Sequence, residues 1–255
     1  MKYGCIRDTK DRNDLPMMLS YPGIFPPAID LREWMPPVMN QGAIGSCTAH
    51  GVTAAARWHI IRQGTTYDFP MSRLQLYFDS RASESNTASD SGAQIRDVIK
   101  VLSQTGVGHE DLWPYDINKW AQKPVQEVYD DATQYKALSY QRVPTTVTAL
   151  KTALLSNHPV VIGVSVYESF EGLAVEHDGI VPMPRDGEQM MGGHCMLVCG
   201  YGQKPGTFTV RNSWGEDWGD NGDCYMPEEY LGSNLGSDYW VIQLFGSGYE
   251  QKAAA

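Results

Sequence analysis

The sequence predicts an α+β protein of two lobes, helical in its first half and β-rich in its second. Three observations carry this prediction. From Cys47 to about residue 130, apolar residues recur at helical spacing; beyond Ala132 they gather into short runs; glycine-rich turns join those runs. At 255 residues the chain can bury a substantial core, as one large domain or two compact lobes.

Residues 1–24 are polar, charged and aperiodic, and read as an N-terminal extension. Pro36-Pro37, Asn40-Gln41-Gly42 and Gly45-Ser46 then give turn signals up to Cys47. Over 47–63, three consecutive alanines and apolar Val52, Ala55, Ala56 and Ile60 suit a helix buried along one face, with Gly64 as its stop. Ser72 is placed to cap a second helix through Phe78. Residues 83–92 form a polar loop. Ile95, Val98, Ile99 and Leu102 mark a third helix over 94–103, closed by Gly106. Residues 110–115 read as a loop with aromatic anchors. In the second half, 137–143 reads as a strand and 145–157 as an amphipathic helix through Val147, Leu150 and Leu154, broken by His158-Pro159. A buried apolar strand is expected over 160–167, with others near 194–201, 206–212, 222–226 and 238–245. The helical lobe is thus about 40–130 and the β lobe about 131–250. Residues 251–255 read as a cloning-derived tail.

Composition narrows the function classes. A hydrophobic content of 42% with 20% charged residues is ordinary for a globular protein. No apolar run reaches the length of a membrane-spanning helix. A formal charge of −10 speaks against nucleic-acid binding, which needs basic surface. The first residues carry charges where a signal peptide would need an apolar stretch, so the expected location is cytoplasmic, or exported with the leader removed. The five cysteines show no repeated Cys-x-x-Cys spacing, which predicts neither a disulfide framework nor a metal site, and no cofactor is expected. Cys195 and Cys199, at an even offset in one strand, are expected to share a face as small core or pocket-lining residues.

The chemistry starts at Cys47. At the first turn of a helix its thiolate gains from the partial positive charge there, and Gln41 stands close enough upstream to donate an amide beside the sulfur. A cysteine nucleophile needs a base, and the base needs a group to hold its ring. His194, in Gly192-Gly193-His194 ahead of an apolar strand, and Asn212, at the end of a short strand before Ser213-Trp214-Gly215, supply these in order. His50 is the rival base, but on the same helix it points away from the helix tip. Asp90, Asp97 and Asp217 read as solvated or capping charges.

These motifs, Gln-Gly-x-x-Gly-Ser-Cys, Gly-His before an apolar strand, and Asn-Ser-Trp-Gly-x-x-Trp-Gly-x-x-Gly, resemble those of papain-family cysteine peptidases. The resemblance runs from about Pro27 to Phe245, and Phe25 to Arg32 is similar to the start of the mature peptidase. It implies a helical left lobe, an antiparallel β-barrel-like right lobe, and an active site in the cleft between them. It implies a Cys47–His194–Asn212 peptidase working through a thioester on peptide or protein substrates, with Gln41 and the Cys47 backbone N–H holding the oxyanion. A thiolate–imidazolium pair is expected, and Trp214 would cover the His–Asn contact. Ile95, Tyr167 and Cys195 fall at side-chain pocket positions, Gly92 and Ala93 where substrate backbone pairs; Trp218 reads as packing. Two other readings share these residues: a transglutaminase-like acyltransferase or amidase, and a catalytically silent binding protein.

The chain departs from the family at Ile44-Gly45-Ser46-Cys47-Thr48, where Cys-Gly-Ser-Cys-Trp is usual. The usual disulfide partner is missing too, in Ser89-Asp90-Ser91-Gly92, so packing alone is expected to hold the left lobe, as a reducing compartment would permit. Ser91-Gly92-Ala93-x-Ile95-Arg96-Asp97 and Trp113-Pro114-Tyr115-Asp116 resemble a bacterial subset of the family. Residues 1–24 are too short for the usual inhibitory prosegment. They are expected either to lie across or beside the cleft, anchored by Tyr3, Ile6, Leu15, Met17 and Met18 with charges of residues 7–14 on its rim, or to be a disordered tail. Cys5 adds the option of a reversible bond to Cys47.

Overall fold

In the computed structural model, which describes residues 2–21, 23–64 and 68–247, two short strands come first, β1 (Cys5–Ile6) and β2 (Ile29–Asp30). Helices α1 (Cys47–Arg62) and α2 (Arg73–Ser83) follow, then strand β3 (Ala93–Gln94) and helix α3 (Ile95–Gln104). The alanine-rich α1 is buried on nearly every side, because it runs between the other helices and the sheet. Ser72 caps α2 by accepting from the Gln75 backbone N–H. Ile95, Val98, Ile99 and Leu102 form the fully buried stripe of α3, as their spacing dictates.

Helix α4 (Gln126–Ala132) leads into the β half. There follow β4 (Tyr135–Val143), α5 (Val147–Leu155), β5 (Val160–Tyr167), α6 (Leu173–Asp178), β6 (Met190–Tyr201), β7 (Thr207–Arg211), β8 (Asp223–Pro227), α7 (Glu228–Gly232) and β9 (Gly236–Ser247). The strands pair antiparallel in the order β4-β9-β5-β6-β7-β8, and β2 joins β6. One core fills the β lobe around Val160, Val198, Phe208 and Tyr239; a second lies between α1, α2, α3 and the sheet. The α+β class and two-lobed order are those expected. The short α4 and α6 give no signal in sequence, since neither is long enough to set up a helical period. A bulge in β6 between Val198 and Gly200 corrects one reading. It breaks the alternation, so Cys195 packs in the interlobe core while Cys199 lies beside Asp223, Arg211 and Arg32. The C-terminal tail at 251–255 lies outside the described residues. Among those described, no helix is long and apolar enough to cross a membrane.

The left lobe is not held by packing alone, and Asp90 is not a solvated charge. One Asp90 oxygen accepts from the Gly45 backbone N–H at 3.0 Å and from the Tyr77 hydroxyl; the other pairs with Lys2 at 2.5 Å. The carboxylate thereby ties the loop before Cys47 to the loop before β3, where the resemblance places a disulfide. Asp90→Ala should leave Gly45 and Tyr77 without their partner and cost about 1–3 kcal/mol. For a chain of this size that is a fall in Tm of roughly 2–12 °C. Thermal melts of the wild type with and without reductant should coincide, because all five cysteines are free.

Buried histidines set an acid limit on this fold. His59 lies against Trp58 and His158, and desolvation lowers its pKa from 6.5 to about 4. Below pH 6.5 the unfolded chain binds a proton that the folded chain refuses, so this stability is intact above pH 6.5 and drains away as pH falls toward 4. The loss is on the order of 3 kcal/mol. Urea midpoints should drop across that window, and His59→Leu should flatten the drop.

The N-terminal extension is tied down in two places. Leu15 and Met17 flank Arg142 of β4, with Arg142 N–H donating to Leu15 and Met17 N–H to Arg142, each at 2.8 Å. Met17 enters the β-lobe core, whereas Leu15 and Met18 remain exposed, as does Ile6. Of the five anchors expected, only Tyr3 and Met17 pack against that core. Residues 2–9 occupy the seam between the lobes. There β1 pairs with β3 in parallel, Cys5 opposite Ala93 and Ile6 opposite Gln94. Asp8 is clamped from both sides. It accepts from Trp240 Nε1 at 2.7 Å and from the Arg96 backbone N–H at 3.2 Å, and its own N–H donates to Asp238 at 3.0 Å.

Candidate active site

Cys47 opens α1 and is fully buried. His194 stands on β6, also with no exposure, and Asn212 follows β7. The Asn212 side-chain oxygen accepts from the Ser213 backbone N–H at 2.8 Å, which fixes the amide's orientation. The same oxygen lies 2.7 Å from His194 Nε2. An acceptor there requires the proton on Nε2 and leaves Nδ1 as the basic nitrogen. Nδ1 is buried and carries no hydrogen bond. The Trp214 ring lies 5.1 Å from the imidazole and shields the contact from water, and Trp218 packs behind it against Phe170.

Gln41 is oriented in the same way. Its carbonyl oxygen accepts from Ser213 Oγ at 2.7 Å, which turns Nε2 toward the seam. Nε2 donates to the Ile44 carbonyl at 2.9 Å and to the Lys2 carbonyl at 3.0 Å. Ser213 therefore touches both Gln41 and Asn212. Nothing but its place after Asn212 could have signalled this, since the role comes from two side chains meeting in space.

His50 is spent elsewhere. Its Nδ1 faces the Ser46 carbonyl at 3.0 Å and its Nε2 accepts from Arg73 at 3.0 Å. Burial and Arg73 push its pKa down to about 3.

Among the pocket residues, Gly92, Ala93 and Cys195 meet residues 4 and 5. The Ala93 N–H donates to the Gly4 carbonyl at 2.9 Å, and a side chain at Gly92 would collide with Gly4. Ile95 and Cys195 are buried in the interlobe core with Cys5 packed against it. Tyr167 is not among them. It ends β5 opposite Met190, and the β5 residue that faces Cys195 across the ladder is Gly163. Strand register, which the sequence leaves open, decides that position. Glu171, absent from the sequence reading, accepts from the Tyr3 hydroxyl. The Tyr3 ring stands edge-on to His194 at 5.8 Å.

The electrostatics of this state differ from the thiolate–imidazolium pair expected. Burial, with Cys5 adding to it, pushes the Cys47 thiol up to about 12, and burial pushes His194 down to about 4 despite its bond to Asn212. A helix end offers a thiolate about 0.3–1 kcal/mol, up to about 2 in the best cases. Complete desolvation of a charge costs more and wins. Both groups are neutral beneath residues 2–5. Among the described residues no cluster of side chains could hold a metal ion.

Residues 25–242 match the family model described as papain family cysteine protease. An uncharacterized peptidase C1-like protein of Acanthamoeba polyphaga mimivirus is 41% identical over 214 residues, covering 80% of this chain and 69% of the relative. Cysteine proteinase 3 of Entamoeba histolytica is 28% identical over 77% of this chain, which spans 61% of that relative's length. Among solved structures, xylellain, a cysteine protease from Xylella fastidiosa, superposes with a TM-score of 0.87 at 37% identity, covering 94% of this chain and 95% of that one. The procathepsin L2 proteinase of Tenebrio molitor shares the fold with a TM-score of 0.75 at 21% identity, covering 95% and 78%.

Proposed function

The chain belongs to the papain family of cysteine proteases, and on that premise we propose that it hydrolyses peptide bonds through a thioester on Cys47, and is latent while residues 2–9 fill the cleft. The observation that carries this reading is the His194–Asn212 contact of 2.7 Å, which leaves Nδ1 as the free base. When residues 2–5 leave, water re-enters, the desolvation of Cys47 falls, and His194 can take the thiol proton. The thiolate attacks the substrate carbonyl, whose oxygen gains negative charge beside Gln41 Nε2 and the Cys47 backbone N–H. The Lys2 carbonyl on Gln41 supports this role, since that amide already receives a peptide oxygen. His194 next gives its proton to the leaving amine and then draws one from the water that clears the thioester. The Cys47 sulfur is met by the Gly4 backbone N–H while the segment is docked.

The test is turnover of a small peptide amide by the chain beginning at Asn13, together with labelling by an epoxide inhibitor of papain-like enzymes. Hydrolysis with the label on Cys47 is expected. A label on Cys5, Cys195 or Cys199 alone would overturn the assignment, and transfer to an added amine in place of hydrolysis would make the protein an acyltransferase.

A further inference from the structure

Two glycines form the floor of the cleft under β1. The β5–β6 ladder sets Gly163 opposite Cys195 and Ser165 opposite Gly193, so these four positions share the face on which β1 lies. Cys5 settles onto that face. Its Sγ lies 3.3 Å from the point where a Cβ on Gly163 would stand, and its carbonyl oxygen 2.2 Å from that point on Gly193. At Gly193 only glycine lets the Cys5 backbone come so close, while a Cβ on Gly163 would press on the Cys5 sulfur. Cys195 stands opposite Gly163 on this face, so the Cys5 and Cys195 thiols are neighbours and each influences the other's ionisation. The Cys47 sulfur is met by the Gly4 backbone, and Cys5 raises its thiol as well. All three cysteines are free.

We propose that Cys5 and Cys195 are a redox-active dithiol that takes low-molecular-weight disulfides, and that its oxidation ties the N-terminal segment covalently across the cleft. When the segment lifts, one of the two sulfurs attacks a small disulfide R–S–S–R. A new S–S bond joins the protein sulfur to one R–S group, the S–S bond of the small disulfide breaks, and the other half leaves as R–SH with the protein thiol's proton. As the segment closes, the other sulfur attacks the protein-side sulfur and expels the second R–SH. Together the two protein thiols lose two protons and two electrons, and the small disulfide gains them as two thiols. Excess small thiol reverses both steps. The bond expected in sequence between Cys5 and Cys47 gives way to one with Cys195, so the nucleophile stays unmodified behind the closed segment.

The regulatory consequence rests on the latency reading above, but the dithiol can be tested without turnover. The full chain is incubated with glutathione disulfide, its remaining thiols are blocked, and it is digested with trypsin without reduction. The expected product joins residues 3–7 to residues 186–211, since Pro205 blocks cleavage after Lys204, two hydrogens lighter than the separate peptides, with fragment ions assigning the bond to Cys195 and not Cys199. Epoxide labelling of Cys47 should fall at least tenfold in the oxidised chain and return on adding dithiothreitol, whereas Cys5→Ser should label equally before and after oxidation. A bond from Cys5 to Cys47, or glutathione adducts alone, overturns the dithiol. A Cys5–Cys195 bond with unchanged Cys47 labelling leaves the dithiol standing and overturns the latency reading instead.

Discussion

Cys47→Ala and His194→Ala, each made in the chain beginning at Asn13, should lower kcat/KM on a peptide amide at least about ten-thousandfold. Nothing else in the described structure can take over either role. His50 has both ring nitrogens engaged, and Cys195 and Cys199 are raised, buried thiols without a base beside them. Members of such a set act as a unit, so losing the nucleophile or the base alone forfeits nearly the whole effect. Cys199→Ala, which removes a thiol lying against the Thr209 carbonyl and Asp223, should stay within about twofold of the parent. Steady-state rates on purified proteins with matched melting curves give the comparison. Full activity in Cys47→Ala would sink the peptidase assignment.

Removal of residues 1–12 should raise kcat/KM by roughly a hundredfold at pH 5.5, the gain expected if about one chain in a hundred stands open. The cut belongs at Asn13 and not at Gly23, because Leu15 to Met17 hold β4 and Met17 fills the core. Asp8 gives this restraint a pH dependence. Burial and Asp238 raise its pKa from 3.8 to about 6, against the lowering bonds from Trp240, the Arg96 backbone and Arg142. Arg142 also binds Asp14 and Asp238, and Arg96 stands 3.6 Å from Asp14, so the carboxylates share two guanidinium groups. The docked segment therefore keeps a proton that the free segment releases above pH 3.8. Through Asp8, docking strengthens as pH falls through 6 and weakens as pH rises through it. His194, held near 4 beneath the segment, acts in the opposite sense, so Asp8 is read by comparison: the ratio of trimmed to full-length activity at pH 5.5 relative to pH 7.5 should be larger in the parent than in Asp8→Asn. An equal rate for the two chains at pH 5.5 would remove the restraint.

Much of this could be read from sequence, for reasons that differ by residue. The family and the α+β fold are legible because long motifs and helical periods are local. Cys47, Gln41, His194 and Asn212 stood out through their motifs, and the fold brings all four to one seam. The pocket position assigned to Tyr167 belongs to Gly163, because the β5–β6 register, which sequence does not show, sets Gly163 opposite Cys195 and Tyr167 opposite Met190. Asp90 looked like any loop carboxylate; its bonds to Gly45 and Tyr77 come from two loops meeting. The protonation of Cys47 in the covered state is hidden from sequence for a related reason. A helix start is visible in sequence, but the burial that overrides it comes from residues more than forty positions upstream.

The short tether between Gly4 in the cleft and Leu15 on β4 makes the segment a ligand that never leaves its receptor. Once the segment lifts, a linker this short holds such a ligand at an effective concentration near the millimolar range. Dilution of the protein leaves that concentration untouched, so latency should be the same at nanomolar and micromolar enzyme. A separate peptide copying residues 2–12 would have to reach millimolar levels to shut the trimmed enzyme as firmly. A micromolar substrate competes against roughly a thousandfold excess of the chain's own residues, and its binding is governed by how often they let go.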